Sequence, residues 1–208
     1  MVWINFLEAL IIVTVIYLPL LVGKSKRNEE SLFWASLVSV FLALVATFVV
    51  NSEKLIGINI FNYLPILIAL IAGFISYGIY GLNSKPTYTK LSPITWLIFL
   101  PLTDNLALRH IGLFYTSEWV YKIQILAWYV TVNVFLFAII AALIFFFIYI
   151  RNGIKSALIE AAMAFVIGMI AGYIYFNYGI LMAIISEIVF NFWRILFGFI
   201  KNKSTTQS

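Results

Sequence analysis

The chain has a single aspartate and a single histidine, and both fall in one apolar stretch, Asp104-Asn105-Leu106-Ala107-Leu108-Arg109-His110. A second such stretch carries Glu187-Ile188-Val189-Phe190-Asn191. Asn133, Glu160 and Glu8 interrupt three others. These are the side chains with chemistry to offer. Asp104 and Glu187 are carboxyls able to act as general acid and base, or to share one proton as acid dyads do. Asn191 can donate a hydrogen bond to developing negative charge. Glu187 and Asn191 are four apart and share a helix face. Asp104 and Arg109 are five apart, about 140° around an ideal α-helix. Arg109 is therefore expected to reach another helix, with Glu187 as its counter-ion, because an unpaired buried charge is far costlier than a paired one. Zinc typically takes three or four His, Cys or carboxylate ligands. His110 with Asp104 and Glu187 is the most this set could supply, so no metal and no cofactor is expected. His110 reads as a hydrogen-bonded packing group.

Composition says what must hold these residues. Of 208 residues, 64% are hydrophobic and only 10% are charged. Mean hydropathy is +1.06. Soluble domains are about one quarter charged, and disordered chains are poor in apolar residues, so both classes are excluded. Unbroken apolar runs of about twenty residues fit membrane-spanning helices, whereas a β-barrel would show shorter alternating segments. The expected fold is all-α, a polytopic membrane bundle. There is no cysteine, so disulfides, thiol catalysis and Cys-ligated metal are excluded.

Seven spans are predicted: 3–22, 31–50, 58–82, 93–115, 123–150, 155–176 and 179–200. Basic loops stay in the cytoplasm. Lys24, Lys26, Arg27, Lys85, Lys90, Arg151, Lys155, Lys201 and Lys203 fall on one side, and only Lys54 and Lys122 on the other. The N-terminus is thus expected outside and the C-terminus inside. The net charge of +5 reads as this topology signal, and no nucleic-acid partner is expected. The first span lacks a basic leader and contains Glu8, so it is not read as a secretory signal. Residues 1–203 form one transmembrane domain, followed by a polar tail, 204–208.

Counting from the outer span ends places Asp104, Arg109, Asn133, Glu187 and Asn191 in one layer about 10 Å thick. Glu160 and Glu8 fall outside it and are expected to snorkel to the interfaces. Pro101 and Pro65 each remove a backbone hydrogen bond, and kinks there would open a small wet cavity beside the layer. The Gly168–Gly172 pair is expected to serve close packing within the bundle rather than dimerisation. Trp3, Trp34, Trp119 and Trp193 read as interfacial belts.

The order and spacing of these residues resemble the CAAX-protease and bacteriocin-processing (CPBP, or Abi) family of intramembrane peptidases. The family's first motif, Glu-Glu-x-x-x-Arg, corresponds to Asp104-Asn105-Leu106-Ala107-Leu108-Arg109, with both glutamates replaced. Its last, His-x-x-x-Asn, corresponds to Glu187-Ile188-Val189-Phe190-Asn191, preceded by Gly168, Gly172 and Gly179, with the histidine replaced. The middle motif, Phe-x-x-x-His, falls at Tyr129 to Asn133 or at Phe147 to Arg151, and depth favours the former. The resemblance covers about residues 93–191. It implies a peptidase fold in which glutamates and histidines activate water and the asparagine holds the oxyanion. With those residues lost, it implies a pseudo-protease of the cell membrane. Such a chain would bind or scaffold a membrane protein or a lipid-linked peptide among membrane lipids. Two alternatives stand beside it: an active peptidase using Asp104 and Glu187, and a transporter or accessory subunit with the polar layer as a proton or solute path.

Overall fold

A computed structural model describes residues 2–22, 29–50, 63–83, 91–116, 122–125 and 128–205. Three helices open the chain: α1 (Val2–Leu21), α2 (Glu29–Val49) and α3 (Tyr63–Asn83). A continuous but irregular helix, α4, covers 92–115, and a short antiparallel hairpin follows, β1 (Lys122–Ile125) and β2 (Trp128–Thr131). The last three helices are α5 (Val132–Tyr149), α6 (Ile154–Tyr178) and α7 (Ile180–Thr205). Two glycines with left-handed backbone separate them. Gly153 (φ 110°) starts α6 and Gly179 (φ 86°) ends it, positions that a side chain would strain.

Five helices, α1, α2, α5, α6 and α7, are long and apolar enough to cross a membrane, and α3 is apolar over Tyr63–Gly78. The surface fits such surroundings. Ile11, Phe41, Phe48, Phe74 and Phe147 are exposed, while Asp104, Asn105, Arg109, Glu160 and Glu187 are buried. Apolar outside and polar inside is the pattern of a protein whose solvent is lipid.

The helices meet where side chains are small. A Cβ on Gly168 would stand 3.1 Å from the Ala138 Cα, and one on Gly172 would stand 2.6 Å from the Val134 Cγ1. Both glycines therefore bring α6 against α5, as expected of close packing within the bundle. Gly73 does the same for α3 and α7, against the Phe190 carbonyl at 2.8 Å.

Two sequence expectations change, those for the fifth span and for Trp193. The fifth span does not begin as a helix at Ile123: Lys122–Ile125 and Trp128–Thr131 pair as strands, so the fold is not purely α, and helix α5 starts at Val132. Pro65 is the third described residue of α3, and Phe61, the carbonyl it would leave unbonded, lies outside the described residues. Trp193 lies in the body of α7, stacked with Phe197 and edge-on to Phe74, and is not at an interface. Helix α7 runs to Thr205. Lys24, Lys26, Arg27, Lys54, Lys85, Lys90 and Trp119 lie outside the described residues, as do the side chains of Trp3, Lys122, Tyr129, Lys201 and Lys203.

Candidate functional site

Helix α4 determines the site. It alternates α-helical pieces (Ser92–Ile94, Leu100–Asp104, Gly112–Tyr115) with two π-helical ones, Thr95–Phe99 and Asn105–Ile111. Before Pro101 the ladder is widened: the Leu100 N–H reaches the Thr95 carbonyl, five residues back. The carbonyl of Pro101 accepts a bond from Asn105 Nδ2 at 2.8 Å. Such π segments are rare and occur mostly at functional sites.

The widened ladder corrects one inference. Asp104 and Arg109 are not on divergent faces. With hydrogen bonds closing five residues back, positions five apart come nearly above one another. Both then turn toward α7. Arg109 Nη1 lies 3.4 Å from Glu187 Oε2, and both side chains are at most 4% exposed. This is the counter-ion expected from the sequence. Asn105 Nδ2 donates to the same Glu187 oxygen at 2.8 Å. The Tyr17 hydroxyl on α1 donates to Asp104 Oδ1. Asp104 and Glu187 both line one small cavity.

A second polar group lies directly beside the first. The Arg194 guanidinium on α7 holds Glu160 on α6 in a two-pronged pair, at 2.8 and 2.7 Å. Arg194 also lies 3.3 Å over the centre of the Trp96 ring on α4, a cation–π contact in a desolvated place. Asn191 Oδ1 accepts from the Tyr77 hydroxyl at 2.9 Å. Between the two groups is a cavity with about 20 Å³ open to the centre of a water molecule, lined among others by Asp104, Glu187, Asn191, Glu160 and Arg194. A space that size has room for one water.

Asp104, Asn105, Arg109, Glu187 and Asn191 thus lie together in one buried cluster. Three residues behave otherwise or were missed. Asn133 does not join. It is the second residue of α5, where its Nδ2 donates to the Thr116 carbonyl at 3.3 Å and its Oδ1 accepts from the Val134 N–H at 2.9 Å. Its depth had been counted from Ile123, which is in the hairpin. The other candidate for the middle motif, Arg151, is exposed. Glu160 does not snorkel; it is 2% exposed and ion-paired. Arg194 escaped notice altogether, although a lone arginine in an apolar run already called for a carboxylate partner. Glu8 is exposed. His110 shares a hydrogen bond between its Nδ1 and the Tyr175 hydroxyl at 2.9 Å, which is the packing role expected of it.

Among the described residues no three His, Cys, Asp or Glu side chains are grouped as metal ligands would be. No protein-family model, curated protein or solved structure matches the chain.

Proposed function

We propose that this chain is a multi-pass protein of the cell membrane, crossing seven times with its N-terminus outside. In this reading it is a degenerate relative of the CPBP peptidases that binds rather than cuts. Its ligand is a membrane protein or a lipid-linked peptide. One observation supports this above others: the carboxylate best placed to act as a base, Glu187, is committed. It faces Arg109 at 3.4 Å and takes a hydrogen bond from Asn105. A base that must take a proton from water needs a free lone pair and a suitable basicity. A carboxylate held by a guanidinium in a buried place is a counter-ion first. The cavity beside it has room for a water but not for a peptide bond and its flanking residues.

The test is a mutant cycle. Arg109→Leu alone leaves Glu187 without its cation and is expected to unfold far more readily in detergent than Arg109→Leu combined with Glu187→Leu. A double variant no more stable than the single one overturns the counter-ion reading. The same cavity favours one second reading, an active peptidase. Asp104, Glu187 and Asn191 all border a water-sized space, which is the minimum a hydrolytic site requires.

A further inference from the structure

Three carboxyls and two guanidiniums make up the buried cluster: Asp104, Glu187 and Glu160 against Arg109 and Arg194. Each of the five residues is at most 5% exposed, and three of their helices, α4, α6 and α7, contribute. With every group ionised the cluster would carry one net negative charge. No further charged side chain lines the cavity among the described residues. The neutral groups around the cluster are the Tyr17 hydroxyl from α1 and Asn105 from α4, which bond Asp104 and Glu187, and Tyr77 from α3, Trp96 from α4 and Asn191 from α7, which border the cavity. An uncompensated charge in such a place costs several kcal/mol or more, so one positive equivalent must enter with the fold.

The geometry says where. Glu160 has both oxygens engaged by Arg194. Asp104 and Glu187 instead border one small cavity together, and two carboxyls gathered in so buried a place are relieved of their mutual repulsion by sharing one proton. An independent sign of an additional donor lies alongside. Asn105 is fully buried, its Nδ2 contacts Glu187, and its Oδ1 has no hydrogen-bond partner among the described residues. The water-sized space itself borders Asp104, Glu187 and Asn191.

We infer that the membrane-buried cluster is a proton-binding site, in which Asp104 and Glu187 hold one proton between them beside a bound water. The proton comes from solvent as the chain folds or opens, and no bond other than O–H is made. The site stands whether the chain cuts peptides or only binds them.

Infrared spectroscopy of the purified full-length protein in lipid tests it. At neutral pH the exposed carboxylates are ionised, so a protonated carboxyl stretch above the amide band reports the cluster. The expected spectrum shows one such group per chain, shifted in heavy water. The band is expected to vanish in Asp104→Asn and in Glu187→Gln. It should vanish also in Glu160→Gln, which leaves two carboxylates facing two guanidiniums and no proton to hold. Absence of the band from the unaltered protein overturns the inference, and that spectrum decides even where a variant fails to fold. Appearance of the band only after sodium and potassium are exchanged for a bulky organic cation would also overturn it, by assigning the charge to a metal cation. Persistence of the band in Glu160→Gln would refute the shared charge count.

Discussion

Glu160 offers the sharpest contrast between two physical pictures. A glutamate that snorkels to the interface makes a weak, solvent-screened contact, and its loss costs at most about 1 kcal/mol. The structure gives it two charge-assisted hydrogen bonds, at 2.8 and 2.7 Å, and 2% exposure. Truncating it strands a guanidinium that is itself only 5% exposed. Breaking a buried pair this way costs about 3–5 kcal/mol, while replacing both partners by apolar residues of similar volume is near neutral. Glu160→Met is therefore expected to lower stability by about 3–5 kcal/mol, and Glu160→Met with Arg194→Met to recover most of it. The coupling of about 3 kcal/mol is at the upper end for residues in contact. Reversible unfolding in mixed detergent micelles, followed by tryptophan fluorescence, reads both, and Trp96 beneath Arg194 reports the local change. A Glu160→Met variant within about 1 kcal/mol of the unaltered protein would refute the buried pair.

Three further outcomes follow from the same structure. Tyr17→Phe removes the donor to Asp104 and should cost about 1–3 kcal/mol in the same unfolding measurement; no change would mean Asp104 is satisfied elsewhere. Gly172→Ala puts a methyl 2.6 Å from the Val134 Cγ1; overpacking of this kind costs about 1–3 kcal/mol, and a second change, Val134→Ala, should restore part of it. Because the chain has no cysteine, single cysteines at Glu8 and Lys155 can report sidedness with a membrane-impermeant maleimide in intact cells. Labelling at Glu8 alone is expected, and labelling at Lys155 would invert the proposed topology.

Much of this was legible in the sequence because the membrane filters it so severely. An ionisable residue in an apolar run must find a partner, so Arg109 with Glu187 could be paired from spacing and depth alone. Close packing at Gly168 and Gly172 followed from small residues four apart. What escaped had specific causes. Angles counted at 3.6 residues per turn fail inside a π-helix, and that placed Asp104 and Arg109 wrongly. Depth counted from a span end fails where the span begins with a hairpin, and that misplaced Asn133. Glu160 lies close to the start of α6 and looked able to reach an interface; only its partner Arg194, unremarked in the sequence, shows that it turns inward.

Whether the buried cluster serves catalysis or only binding is decided most directly by a cleavage assay. The protein would be reconstituted into lipid vesicles with transmembrane and prenylated C-terminal peptides, and the products read by mass spectrometry. The expected result is no cleavage beyond that of folded Asp104→Asn and Glu187→Gln variants. Peptide hydrolysis by the unaltered protein that disappears in both variants would contradict the assignment of Glu187 as a counter-ion and establish the two carboxyls as the catalytic pair.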